Sequence, residues 1–337
     1  MSRTFNLALV GATGLVGEAV LALLQERELP IGTLHLLASA GSAGKRLAYR
    51  GSYIKVADLA DCDFSGIDIA LFAVPPVVTA RYSPLAAEQG CLVVDLSGIW
   101  LADARVPVVL PGVNEAALAD ARERNLVAVA AGITAQVAPL VMALLEDGPA
   151  PQLGLTALLP ASAAGRAGVE ELAQQTARLL NSQDPEAAIF PGQSAFATLT
   201  AGSKGCGSGM LAPADSARLA LQRLFPALAG RIACQAVRVP VFFGQSVALN
   251  WLSDAAPAAD QALMRLTAAG IEVAEADVDG RGLALSGSAQ AGGAAVCEIA
   301  SQQDGVGLSL WVSTDNVHES AALKGVQIVE LLIKDYL

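Results

Sequence analysis

The chain has 337 residues, 53% hydrophobic and 16% charged, and its 32 acidic against 21 basic side chains leave a net charge of −11. With that charge and only 4% aromatic residues there is no basic stripe to neutralise phosphates and no surface on which bases stack, which excludes a nucleic-acid partner. At roughly 100–200 residues per domain the length predicts two domains, and no apolar run reaches the ~18 residues that cross a bilayer.

The first residues, Met1-Ser2-Arg3-Thr4-Phe5, carry no signal-peptide pattern, so a soluble, cytoplasmic protein with no membrane partner is expected. Phe5–Val10 is short, apolar and ended by glycine, and reads as a buried strand. Gly11-Ala12-Thr13-Gly14-Leu15-Val16-Gly17 follows, then a run of helical apolar spacing through Gln25 and a second strand, Thr33–Ala38. Three glycines between a buried strand and an amphipathic helix, with a second strand at this distance, form a dinucleotide-binding pattern. Gly11 permits the tight turn, Gly14 the approach of a pyrophosphate, and Gly17 close helix packing. Free N–H groups and the positive helix end favour an anion there, which makes Gly11, Thr13, Gly14, Leu15 and Val16 the candidate cofactor residues.

An NAD site places Asp or Glu about 20 residues after the glycines to hold the ribose hydroxyls. Here Ser39-Ala40-Gly41-Ser42-Ala43-Gly44-Lys45 offers no carboxylate. Small hydroxyl residues, amides and a lysine suit a 2′-phosphate, so NADP is the expected cofactor, with Ser39 and Ser42 as contacts. A strand over Ile67–Val74, a helix from Pro75-Pro76 through Ala87 and a strand over Cys91–Asp95 come next. This alternation predicts an α/β fold, a Rossmann-like doubly wound parallel sheet. Between about Ala130 and Thr314 the pattern changes. Helices are expected over Arg166–Leu180 and Pro213–Leu224, and extended runs over Val237–Phe243, Ser246–Leu252 and Leu308–Ser313. Helices on one face of a mixed sheet, an α+β domain, would fit.

The five cysteines, Cys62, Cys91, Cys206, Cys234 and Cys297, are odd in number and scattered without a Cys-x-x-Cys pair, so free thiols are expected and no zinc site. Cys206 reads as a surface thiol in the glycine-rich loop Ser203–Gly209, and the other four as small core residues. His35 reads as a core or sheet-edge residue, and His318 as a solvated helix start or a cofactor contact. Two isolated histidines predict no metal, and no Gly-x-Ser-x-Gly elbow supports a hydrolase.

Gly11–Gly17, Leu36–Lys45, Asp95–Ser97, Pro111-Gly112-Val113-Asn114, Val237–Val241 and Asp315–Leu332 stand in the order of the motifs of aspartate-semialdehyde dehydrogenases. The chain resembles that family over essentially its whole length. The resemblance implies a dinucleotide-binding domain from residues 1–129 with 316–337, and a catalytic-like and dimerisation domain from residues 130–315. It also implies a homodimer built on the mixed sheet, a C-terminal helix over Asn316–Tyr336 that returns to the nucleotide domain, and Asn316 beside the nicotinamide. The family reaction, a step of amino-acid biosynthesis, interconverts aspartyl phosphate and aspartate semialdehyde. A thiolate adds to the aldehyde, hydride passes to NADP, and phosphate cleaves the thioester. Such chemistry needs an activated nucleophile, a base, and cations for carboxylate and phosphate.

By the same resemblance the nucleophile falls on Gly132, within Ala131-Gly132-Ile133-Thr134-Ala135-Gln136, and the histidine base on Gln245. A glutamine falls on Leu159, the phosphate-gripping arginine on Leu101, and the arginine for the 2′-phosphate on Gly41. Arg238 alone is expected to persist, as the group that holds the substrate carboxylate. Glycine has no side chain to attack with and glutamine is no base near neutral pH. Losing either group typically costs on the order of 10⁴-fold or more, so no catalytic residue is assigned. The pattern resembles the Usg-type paralogues of the family. An NADP-binding pseudoenzyme is expected. The alternatives are an NADP-dependent oxidoreductase acting on another small carbonyl substrate without covalent catalysis, or a structural partner of an intact family member.

Overall fold

The computed structural model describes residues 3–145, 149–202, 210–273, 295–301 and 307–336. These residues form two compact units. The first draws on Met1–Ala131 and Ala321–Leu337 with Met210, and the second on Gly132–Cys206 and Leu211–Ser320.

The strands of the first unit are β1 (Phe5–Val10), β2 (Ile31–Ala38), β3 (Arg46–Tyr49), β4 (Ser52–Lys55), β5 (Ala57–Asp58), β6 (Ile69–Phe72), β7 (Leu92–Asp95), β8 (Val108–Val109) and β9 (Leu126–Val129). β3 and β4 form a two-stranded ribbon, and the others one sheet in the order β5-β2-β1-β6-β7-β9-β8. Every pairing in that sheet is parallel. All residues of β6, β7 and β9 are buried, as expected for parallel strands covered on both faces. The helix α1 (Leu15–Glu26) buries Val20, Leu21, Leu23 and Leu24, while α2 (Pro76–Glu88) starts at a proline that needs no N–H partner. The C-terminal helix, Leu323–Asp335, puts Val326, Ile328, Val329 and Leu332 into the same core as Leu7, Leu9, Leu71 and Val94. Each such aliphatic side chain is worth roughly 1.5–3 kcal/mol when fully buried. The doubly wound sheet expected from the sequence is present.

The second unit contains β10 (Gln152–Leu159), β11 (Leu199–Thr200), β12 (Ile232–Arg238), β13 (Gln245–Leu252), β14 (Glu272–Val273), β15 (Ala295–Ser301) and β16 (Gly307–Thr314), in the order β11-β12-β10-β13-β16-β15-β14. The sheet is mixed: β10 runs parallel to β12 and antiparallel to β13, which is antiparallel to β16. Its helices are α3 (Ile133–Leu144), α4 (Gly165–Leu180), α5 (Pro213–Leu224) and α6 (Ala259–Ala268). Of these α3, α5 and α6 pack on the sheet, and Leu153, Leu155, Ala157 and Leu159 of β10 are buried. The cross-strand row on the opposite face, Thr156, Ala248 and Trp311, is half-buried.

Two elements differ from the sequence reading. The extended run expected over Val237–Phe243 stops at Arg238, and its strand begins earlier, at Ile232. Pro240 lacks the N–H that a ladder would use, and Phe242 and Phe243 beyond it are exposed. The last helix does not run on from Asn316. A π-helical turn, His318–Ala322, precedes the α-helix, because the Ser320 N–H reaches back five residues to the Asp315 carbonyl and Asp315 Oδ1 takes the N–H groups of Val317 and His318.

Candidate functional site

The glycine turn of the first unit is forced by close backbone approach. Gly11 has φ +94, and a Cβ placed there would stand 2.4 Å from the Ala73 carbonyl oxygen; a Cβ on Gly17 would stand 2.0 Å from the Gly11 oxygen. No larger residue fits either position without moving the turn. Gly14 is the N-cap of α1, and no side chain caps the helix, so the first-turn N–H groups, those of Leu15 and Val16 among them, lack an internal acceptor. The loop after β1 meets the loop after β2, where Thr13 Oγ1 lies 3.2 Å from Ser42 Oγ. Ser39 and Lys45 are exposed in that second loop, and the Ser39 carbonyl holds it by accepting the N–H groups of Ser42 and Ala43. The turn, the uncapped helix start and the two hydroxyls fit the pyrophosphate and ribose end of a dinucleotide.

A second arrangement lies at one edge of the second unit's sheet. Leu159 pairs with Arg238, Leu158 with Ser246, and Gln245 with Thr314. The ends of β10, β12 and β16 and the start of β13 therefore meet there. Asn316 is buried beyond β16, and its Oδ1 accepts from Ser162 Oγ at 3.1 Å and from the Gly244 N–H at 3.2 Å. That one oxygen ties together the segments leaving β10, entering β13 and leaving β16. Arg238, half-buried, lays its guanidinium 5.6 Å from the Phe190 ring centroid, a cation–π geometry. Phe190 is itself held in place: Glu171 of α4 accepts the N–H groups of Ala188, Ile189 and Phe190, and Gln175 accepts those of Ser194 and Ala195.

Gly132 is the N-cap of α3 with φ 62 and ψ −128, and its N–H donates to the Ser320 carbonyl at 2.9 Å. Space beside it is open, for a Cβ would meet nothing within 4 Å. One turn on, Gln136 Nε2 donates to the Val312 carbonyl at 2.8 Å and to that of Gln245 at 3.3 Å, while Gln245 Nε2 donates to Gln136 Oε1 at 2.8 Å. Both glutamines are buried. A buried amide pair so bonded has little freedom to turn toward a substrate.

His318 Nδ1 lies 3.0 Å from Glu319 Oε1, with 41% of the imidazole side chain and 12% of the Glu319 side chain exposed. The pair joins two neighbours in the chain, and the only sign of it in the sequence is an adjacent His and Glu at a helix start. His35 is exposed on β2 and lines an open cleft with Leu37, Lys55, Asp58 and Cys62, which fits the sheet-edge reading. Leu101 and Leu159 are buried in the core and fill it. Of the cysteines read as core residues, Cys91 is buried, whereas Cys62 and Cys234 are half-exposed, which corrects the reading for those two. Burial pushes the Cys91 thiol up to about 12 and Cys234 to about 11, so neither is a ready nucleophile. Cys206 and the side chain of Cys297 lie outside the described residues. Among the described residues no cluster could hold a metal ion, and no helix is long and apolar enough to cross a membrane.

A parallel sheet opened by a glycine turn, followed by a mixed-sheet unit with a polar rim, defines a two-unit protein of the dinucleotide-binding α/β class. Residues 6–121 match the semialdehyde dehydrogenase NAD-binding domain, and residues 138–319 the semialdehyde dehydrogenase dimerisation domain. The chain belongs to the semialdehyde dehydrogenase family, and its first unit carries that family's NAD(P)-binding domain. It is 37% identical to a USG-1 protein homolog of Pseudomonas aeruginosa and 35% identical to aspartate-semialdehyde dehydrogenase 2 of Vibrio cholerae, in both cases over 100% of each chain. The crystal structure of aspartate semialdehyde dehydrogenase II from Vibrio cholerae complexed with ASA superposes with a TM-score of 0.88 at 33% identity, covering 100% of both chains.

Proposed function

We propose that this chain is an NADP-binding member of its family that has lost the phosphorylating dehydrogenase reaction: a pseudoenzyme for that chemistry. The observation that carries the reading is the pair Gly132 and Gln245. The first offers no thiol at the start of α3, and the second is bonded to Gln136 where a base would be needed. A thioester path without nucleophile or base loses on the order of 10⁴-fold or more. Gly11, Thr13, Gly14, Leu15 and Val16 would hold the pyrophosphate, Ser39 and Ser42 the adenosine ribose and its 2′-phosphate, and Asn316 the nicotinamide side. In this reading residues 1–129 with 316–337 bind the dinucleotide, and residues 130–315 form the dimerisation half of a cytoplasmic homodimer. A bound NADP supplies hydride-transfer capacity.

The test pairs two measurements on the purified chain. NADPH titrated against tryptophan fluorescence should give saturable binding, tighter than NADH. Aspartate semialdehyde, phosphate and NADP together should then yield no NADPH above background. Turnover in that assay would refute the loss of function, and absence of binding up to millimolar NADPH would refute the cofactor.

A second reading is favoured by the retention of Arg238 at the sheet rim. Direct hydride transfer to a carbonyl needs no covalent nucleophile, and Arg238 would orient the carboxylate of a small oxo acid.

A further inference from the structure

The sheet edge of the second unit gathers polar groups from four segments: Arg238 at the end of β12, Gln245 at the start of β13, Ser162 beyond β10, and Asp315 to Ser320 beyond β16. His318 lies at the centre of the last segment. Two residues before it, Asn316 bonds Ser162 and Gly244; two residues after it, the Ser320 carbonyl bonds the N–H of Gly132. Its own N–H is held by Asp315 Oδ1 at 2.9 Å. Its place in the backbone is therefore tied to two other segments of the rim and to the start of α3. The turn that carries it is π-helical, a conformation found often at functional sites.

The side chain is ordered as well. An ionised carboxylate only accepts, so Glu319 Oε1 fixes the Nδ1 of His318 as the donor and leaves Nε2 to exchange a proton. The other groups of the rim do not suit that task. Arg238 stays charged, and Gln245 is bonded to Gln136. Asp315 Oδ1 is occupied by two N–H groups, and Glu319 by the imidazole. The imidazole alone is both oriented and 41% exposed.

We propose that His318, oriented by Glu319, is the proton-transfer residue of this rim and acts on the carbonyl oxygen of a small oxo acid. The inference rests on the second reading above. In the direction of reduction the carbonyl carbon gains hydride from a reduced nicotinamide dinucleotide, and the carbonyl π electrons move onto oxygen. That oxygen takes the Nε2 proton of imidazolium His318. A hydroxy acid, the oxidised dinucleotide and a neutral imidazole still bonded to Glu319 remain. Arg238 binds the carboxylate of the same molecule.

The chain has only two histidines, so proton NMR resolves both imidazoles, and His318→Gln identifies which is which. Succinate, a carboxylate that cannot be reduced, should shift the His318 resonance while leaving that of His35 unmoved. With NADPH and succinic semialdehyde, glyoxylate or 2-oxoglutarate, the wild type should consume NADPH with at least one. His318→Gln should then lower kcat by ~10²–10⁴-fold with KM near wild type, and Glu319→Gln should lower it less and displace the pH profile. Thermal melting controls for folding, and Glu319→Gln stands in if His318→Gln does not fold. An unmoved His318 resonance or a His318→Gln variant as fast as wild type overturns this inference alone. NADPH binding without turnover of any probe overturns it together with the second reading. Failure to bind NADPH overturns it together with the reading beneath it.

Discussion

Gly132 occupies a position that does not readily accept a side chain. The space is open, yet φ 62 with ψ −128 is a backbone conformation that side chains rarely adopt, at a cost of order 1–3 kcal/mol. Gly132→Cys is expected to fold with a lower melting temperature and a titratable thiol. On the proposed loss of the phosphorylating reaction, it should show no activity with aspartate semialdehyde and phosphate, because Gln245 stays bonded to Gln136. Robust NADPH formation by this single variant would mean that Gln245 is no obstacle. Asp95 offers a second residue-scale prediction. Burial pushes its carboxyl up to about 6, against the opposing hydrogen bonds from Ser97, Trp100 and Gly98, while the unfolded chain titrates near ~3.9. The folded state thus keeps a proton that the unfolded state releases between the two values. This group therefore adds stability as pH falls from about 7 toward 4 and removes it as pH rises through 6, by roughly 3 kcal/mol in all. Asp95→Asn should flatten that part of the pH–stability curve in denaturant titrations; an unchanged slope between pH 4 and 7 would contradict it.

At the scale of elements, the segment between α4 and β11 depends on two side chains of α4. Glu171 and Gln175, both buried, satisfy five backbone N–H groups of that segment, which has no sheet partner to do so. Glu171→Ala strands three of these donors and should cost ~3 kcal/mol, with cleavage around Ala188–Phe190 in limited proteolysis before the rest of the chain. Because Arg238 rests on Phe190, the same variant should weaken succinate binding. Equal protection of that segment in wild type and variant would show that packing alone holds it. This arrangement was hidden in the sequence. A glutamate on a helix reads as a solvated charge, and only the return of the chain over α4 makes it an internal acceptor.

For the whole molecule, the half-buried row Thr156, Ala248 and Trp311 is the face on which the proposed homodimer is expected to close. Trp311 is half-buried there between strands whose other face carries the helices. Trp311→Arg would place a charge inside such an interface, where an unpaired ion costs several kcal/mol. Sedimentation velocity should find a dimer for the wild type and a monomer for the variant; a dimeric variant would move the interface elsewhere.

Local pattern was enough for the elements whose signals are local. β1, the glycine turn, α1, α5 and β13 lie within a residue or two, or a few residues for α1, of where periodicity and punctuation put them, because a buried parallel strand or an amphipathic helix writes its period into its own residues. The sequence also determined that a carboxylate is missing after β2 and that no thiol stands at Gly132. What it left open depends on partners far along the chain. The amide of Gln245 is held by Gln136, 109 residues away, and Asn316 is held by Ser162, 154 residues away. The end of β12 at Arg238, the π-turn and the His318–Glu319 pair were likewise decided by tertiary structure. Hydrogen bonds of that reach form only once the strands align, so no window of sequence contains both partners.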